Sequence, residues 1–392
     1  MWLGVLPLLA QEGASVTVNA DSTVSFCYCG EAKRVSVQSD IRYTREDSSR
    51  YNDLTRKIRM RKQSDGCYRV TTKPVTPETY TYCFRVNGKP QSDPQNNDTA
   101  WQTIKKWNIV SVGSTQQSDL YRQPRQRGIL HQLRWYSTAE HIFRRVNIYL
   151  PAGYDQPDTA NPLTPNPQTA NPLTPNPLTR YPVLYLLHGV NGYEGSWTER
   201  GRAIQIMENL VAQGKCRPMI LVMPDVNIAP DEDKPSHRSL WSSVVNYPRL
   251  CRDHDIECAL TELIQMVDTT YRVSGERLIA GLSDGARLAA NVANLLPEYF
   301  QTVGLFSPVV NKSQLPTAVT DSGLSTSDFR LSTKYYIYTG KGDFLFHGNA
   351  KRFKRRLQNA QVPYEYIESV GGHNWRNWRY YLSDFLSRCI VE

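Results

Sequence analysis

From Pro182 onward, short unbroken apolar runs alternate with stretches of helical period. Pro182–Leu187 and Pro218–Met223 read as strands buried on both faces. Gly201–Gln213 and Ile256–Tyr271 read as helices. In the second, Ala259, Leu260, Leu263, Met266 and Val267 fall on one face. The alternation continues through Leu278–Leu282, the helix-compatible run Arg287–Ala293, Thr302–Phe306, Lys334–Thr339, Leu345–Ala360, Tyr364–Ile367 and Asn374–Leu386. Arg144–Leu150 adds a strand ahead of them. Strands alternating with helices predict an α/β domain over residues 116–392, with a mostly parallel central sheet covered on both faces.

Residues 15–115 carry a different period. Val16–Val18, Thr23–Tyr28, Arg34–Val37 and Cys67–Thr71 alternate or are rich in β-branched and aromatic residues. Glu78–Val86 alternates well and ends at Asn87-Gly88, a hairpin signal. This region reads as a small all-β sandwich. Between Arg144–Leu150 and Pro182–Leu187, TANPLTPNPQ (Thr159–Gln168) is repeated as TANPLTPNPL (Thr169–Leu178). Proline every few residues removes donors and fixes φ, so 159–180 reads as an extended surface loop without chemistry of its own.

The 392 residues suffice for two or three domains, and 40% hydrophobic content with mixed charge suits a globular chain. The net charge of +9 is scattered. Its densest run, Lys351–Arg356, falls on a predicted helix as a solvated face, which argues against nucleic acid and suits an anionic polysaccharide surface. No run past the start is long enough to span a membrane. The start, MWLGVLPLLA, resembles the end of a signal-peptide apolar region without its basic part. Residues 1–14 are therefore read as a truncated export signal, and the chain as secreted or periplasmic. None of the eight cysteines has zinc-like spacing. Cys27 and Cys29, on one face of a strand, are poor partners, and other bridges are left open. Nothing in the pattern fixes an oligomeric state.

The chemistry centres on Gly281-Leu282-Ser283-Asp284-Gly285, a G-x-S-x-G between a predicted strand and a predicted helix. That context makes the motif a nucleophile elbow, with Ser283 at the carboxyl end of the sheet. The Asp284 N–H and the helix dipole can then face an oxyanion. A serine nucleophile needs a base and an orienting acid, in the chain order Ser, acid, His. Only His347 and His373 follow Ser283. His373 lies in Val370-Gly371-Gly372-His373 between a strand and a helix, whereas His347 sits at a helix start as a surface or packing residue. Asp343, in the loop after Lys334–Thr339, is the candidate acid; Asp321 and Asp328 precede that strand and are poorly placed. The alternative role for Asp343 is a helix N-cap. Val190, in His188-Gly189-Val190-Asn191-Gly192, is the second candidate oxyanion donor, with Gly189 as the alternative and His188 structural. Trp241 and Trp375 are candidates for stacking on a sugar or phenolic ring. This chemistry calls for no metal and no cofactor.

The runs YPVLYLLHGVNGYEGSWTERGRAIQIMENLVAQGKCRPMILVMPD, IAGLSDGA, GKGDF and GGHNWRNWRYYL resemble the esterase D-like enzymes, and within them carbohydrate esterase family 1, the feruloyl and acetyl-xylan esterases. The resemblance covers most of Val146–Leu386. It implies an α/β-hydrolase fold, a triad at Ser283, Asp343 and His373, and a polysaccharide or oligosaccharide ester substrate. Two positions depart from it: Asp284 stands where that family has Met, and Ala286 where it has a second Gly. An inward-turned Asp284 carboxylate would oppose the oxyanion and weaken activity. VSVQSD (Val35–Asp40), DGCYRVTT and PETYTYCFRVNGKPQSDPQN resemble a family-48 carbohydrate-binding module, which implies an immunoglobulin-like fold. Three other readings compete with a cell-wall esterase: a siderophore-ester or thioester hydrolase, an acyltransferase, and a catalytically silent glycan-binding protein.

Overall fold

The computed structural model describes residues 14–43, 55–102, 105–113, 115–154, 179–190, 192–227, 253–309 and 333–389. The leader-like start, nearly all of the proline repeat, Trp241, Asp321 and Asp328 lie outside them. The chain forms two compact units, residues 1–122 and 123–392.

Among its described residues the first unit is all-β apart from one turn of helix, α1 (Gln116–Asp119). One antiparallel sheet has the order β1 (Val16–Val18), β2 (Val24–Tyr28), β6 (Tyr68–Thr71), β5 (Arg61–Lys62). The other runs β4 (Arg56–Arg59), β3 (Val35–Ser39), β7 (Glu78–Val86), β10 (Lys105–Val112), β9 (Thr99–Gln102), with β8 (Lys89–Gln91) paired to β7. Val24, Phe26 and Tyr68 from one sheet share a core with Val37, Tyr82, Phe84 and Val110 from the other. Period-2 alternation explains this, since every second side chain of each strand turns to that core. The hairpin at Asn87-Gly88 forms as the sequence predicts, with φ of 51° and 88° at its two central residues.

The register of β2 against β6 settles the cysteine question. Cys27 faces Arg69 and Tyr28 faces Tyr68, so the next opposed pair is Cys29 and Cys67, and these are bonded. Cys27 remains a thiol, its Sγ 3.8 Å from that of Cys29. The bridge spans 38 residues, so closing that loop removes denatured-state entropy worth about 2–4 kcal/mol. Cys67→Ser is expected to lower the urea midpoint of this unit by a corresponding amount. An unchanged midpoint would show that the bridge adds nothing.

The second unit is built on an eight-stranded sheet ordered β11 (Ile129–Ser137), β12 (Ile142–Leu150), β14 (Ile220–Pro224), β13 (Tyr181–Leu187), β15 (Val273–Leu282), β16 (Thr302–Phe306), β17 (Lys334–Gly340), β18 (Tyr364–Ser369). The sheet is mixed: the six strands from β14 to β18 are parallel, while β12 runs against both of its neighbours. Strand β14 lies between β12 and β13, which precede it in sequence. Strand β11 is absent from the sequence-based reading because its residues are largely exposed and do not alternate cleanly.

Helices cover both faces. In β13, Val183, Tyr185 and Leu187 share a core with Leu260, Leu263 and Val267 of α4 (Asp253–Thr270), Leu288 and Val292 of α5 (Asp284–Leu295), and Phe353 and Leu357 of α6 (His347–Asn359). The opposite face carries α2 (Ser196–Glu199), α3 (Ala203–Ala212) and α7 (Trp375–Arg388). There Phe306 meets Trp197, Tyr381 and Phe385. Each fully buried large apolar side chain contributes about 1.5–3 kcal/mol. Because the strands from β14 to β18 are parallel, their carboxyl ends lie along one edge of the sheet. The loops after β13, β15, β17 and β18 therefore meet there.

Candidate active site

Ser283 occupies the turn between β15 and α5 with φ 56° and ψ −117°, a conformation unfavourable for a residue with a Cβ. Its neighbours impose it. The Ser283 N–H donates to the Phe306 carbonyl at 2.8 Å, and the Ser283 carbonyl accepts from Val309 N–H at 3.2 Å. The two glycines of the motif are required by contact. A Cβ on Gly281 would lie 2.3 Å from the Gly285 carbonyl oxygen, and one on Gly285 would lie 2.3 Å from that of His188.

Two further loops converge on the elbow. After β17 the chain turns through Gly342, whose N–H donates to the Gly371 carbonyl at 2.8 Å. That bond ties the Asp343 loop to the His373 loop. Asp343 is fully buried. Its Oδ2 lies 2.9 Å from His373 Nδ1, and its Oδ1 accepts the Phe346 N–H at 3.2 Å. His373 Nε2 lies 3.0 Å from Ser283 Oγ. The chain thus brings together three side chains that are 60 and 30 residues apart in sequence (343 − 283 and 373 − 343). The imidazole is held on its flanks by Phe346, 4.8 Å away between ring centres, and by Trp378, edge-on at 4.9 Å. Asn377 Nδ2 donates to the Gly372 carbonyl at 3.0 Å, and Asn374 caps α7 by accepting the Asn377 N–H at 3.1 Å. Asn377 was missed by sequence reasoning; the Asn-x-x-Asn spacing at a helix start is the signal that could have found it. Asp343 does not take the N-cap role: Phe346 stands at the N-cap of α6, without a side-chain cap. One Asp343 carboxylate oxygen holds the turn before α6 while the other faces His373.

The loop after β13 lies against the elbow. A Cβ on Gly189 would stand 3.1 Å from the Ser283 Cβ. Val190 follows and is exposed. His188 is buried and serves the scaffold: its Nε2 accepts the Val226 N–H at 3.0 Å, which latches the loop after β13 to the loop after β14. Asp225 lies 3.3 Å from the same nitrogen. Burial alone would push its carboxyl up, but the His188 ring, the Asn227 N–H and Arg144 outweigh that and hold it below the usual carboxylate value. His347 begins α6 and pairs with Glu368 at 2.7 Å, outside the cluster.

Asp284 is the first residue of α5, at the end of the helix where the dipole is positive. Trp375 does not present an open ring face. It is 8% exposed and packs edge-on against Trp197 at 5.4 Å and Trp378 at 5.2 Å. The helical phase explains the correction: Trp375, Trp378, Leu382, Phe385 and Leu386 form the buried stripe of α7.

The fold and this geometry define an α/β-hydrolase domain. The chain belongs to the Esterase family, described as putative esterase, whose model matches residues 143–389. It is similar to an endo-1,4-beta-xylanase/feruloyl esterase of Xylanibacter ruminicola, with 25% identity over 325 residues. That match covers 82% of this chain and 39% of the relative, so the chain spans about two-fifths of the relative's length. Among solved structures, the enterochelin esterase of Shigella flexneri shares the fold at a TM-score of 0.58 and 16% identity, over 95% of this chain and 94% of that one. A ferulic acid esterase matches at a TM-score of 0.49 and 24% identity, over 67% of this chain and 98% of that one.

Among the described residues no helix is long and apolar enough to cross a membrane.

Proposed function

We propose that the chain hydrolyses feruloyl or acetyl esters on plant cell-wall polysaccharide such as xylan, through an acyl-enzyme on Ser283. The observation that carries the reading is the contiguous hydrogen-bonded series from Ser283 Oγ through His373 to buried Asp343. Ser283 attacks the ester carbonyl while His373 Nε2 takes its proton. Asp343 fixes the tautomer that leaves Nε2 free to accept and stabilises the imidazolium. The N–H groups of Asp284 and Val190 bind the oxyanion. His373 then protonates the departing sugar hydroxyl, and water releases the acid by the same steps in reverse order.

The substrate rests on the resemblance and on the name of the Xylanibacter relative. The N-terminal unit is read as a carbohydrate-binding-module-like, immunoglobulin-like domain on the motifs quoted for it, with its two antiparallel sheets as support. The Cys29–Cys67 bridge supports placing the chain outside the reducing cytoplasm. A second reading, hydrolysis of a catecholate siderophore ester, is favoured by the Shigella enzyme, whose fold matches along 95% of this chain.

The test is one panel on purified protein: p-nitrophenyl acetate, methyl ferulate, acetylated xylan and a cyclic catecholate ester. Higher kcat/KM on the ferulate or xylan esters is expected. Faster turnover of the cyclic catecholate ester would move the protein to the siderophore reading.

A further inference from the structure

The residue after the nucleophile raises an electrostatic problem. Asp284 supplies the oxyanion-binding N–H in the reading above, yet it carries a carboxylate on the same residue. A negative charge suits a helix start. It also opposes the negative charge that develops on the substrate carbonyl beside Ser283. Two like charges this close, at an effective dielectric of about 20, repel enough to slow a step by roughly tenfold or more.

The structure shows where that carboxylate goes. Arg287, three residues further on α5, faces the same side of the helix. Its Nε donates to Asp284 Oδ1 at 2.6 Å and its Nη2 donates to Oδ2 at 3.3 Å, so both oxygens are held. The Arg287 side chain is 5% exposed, against 21% for Asp284, so the cation is the buried partner. Burying a guanidinium is unfavourable unless it is paired. The pair links the first residue of α5 to the next turn of the helix.

We infer that Arg287 is a positioning residue for the oxyanion site. It draws the Asp284 carboxylate along the helix and offsets its charge, so the Asp284 N–H meets the oxyanion without an opposing charge beside it. This rests on Ser283 being the nucleophile and deepens that reading. It also accounts for an acid at a position where the resembling enzymes carry an apolar residue: in this chain the acid arrives together with its own cation.

The test compares Arg287→Gln with the double variant Asp284→Asn/Arg287→Gln on p-nitrophenyl acetate. Arg287→Gln should lower kcat by about tenfold or more with KM nearly unchanged. Removing the carboxylate in the double variant should bring kcat back to within about threefold of wild type. An arginine that merely braces the helix predicts otherwise: lower melting temperature and no recovery in the double variant. Unchanged kcat in Arg287→Gln, or a double variant worse than the single one, overturns the inference. Should Arg287→Gln fail to fold, Arg287→Lys takes its place. Its single ammonium should cost about threefold in kcat, again recovered by Asp284→Asn, and an unchanged kcat there overturns the inference equally. Labelling of wild type by an organophosphonate keeps the two questions apart. No adduct on Ser283 defeats the nucleophile assignment itself; an adduct on Ser283 with normal Arg287 variants defeats only the role of Arg287.

Discussion

Ser283→Ala is expected to remove ester hydrolysis, with a loss on the order of 10⁶ in kcat. The fold should survive. Alanine and serine share the same backbone restriction at φ 56°, so the strain of the elbow is unchanged. The bonds that impose it, Ser283 N–H to Phe306 and Val309 N–H to Ser283, are made by main chain. What disappears is the one oxygen 3.0 Å from His373 Nε2. Without it His373 can still direct water at the carbonyl, and the oxyanion donors remain, which leaves a small residual rate. The check is kcat on p-nitrophenyl acetate beside a melting curve. Activity above a few per cent, in a preparation free of wild type, would place the nucleophile elsewhere.

The elements of this site were legible because each is local. Gly281 and Gly285 flank Ser283 within five residues, Asp343 follows a strand, and His373 follows a strand behind two glycines. The parallel part of the sheet was legible for the same reason: each strand and helix is written in consecutive residues. What escaped is what depends on pairing across the chain. No period in Arg144–Leu150 reveals that β14 lies between β12 and β13. No spacing reveals that Cys29 pairs with Cys67, because that follows from the β2–β6 register. Trp375 was misread for a different reason. As an aromatic ring it is a candidate for stacking on a substrate, but the phase of α7 places it beside Trp378 in the interior. The Asp284–Arg287 pair was within reach of sequence, as an acid and a base three residues apart at a helix start.

Asp343→Asn is expected to lower kcat by about 10⁴. The loss follows from proton direction rather than from shape. Asp343 is fully buried, and its two oxygens do two jobs: Oδ1 accepts the Phe346 N–H at 3.2 Å and Oδ2 faces His373 Nδ1 at 2.9 Å. An asparagine has one oxygen. Bonding it to Phe346 N–H directs its amide N–H at His373 Nδ1, which must then act as acceptor. The imidazole proton then sits on Nε2, facing Ser283 Oγ, where a base is needed. Turning the amide the other way would set its N–H against the Phe346 N–H, two donors face to face in a buried site. The first arrangement is the better one, and it is the inactive tautomer. Because side-chain volume hardly changes, the melting temperature should fall far less than removal of a buried charge partner would suggest. Asp328→Asn provides the contrast, since Asp328 precedes β17 in sequence, and its kcat should stay within about twofold of wild type. If Asp328→Asn causes the loss and Asp343→Asn does not, the acid of this site is misassigned, whatever the 2.9 Å contact to His373 suggests.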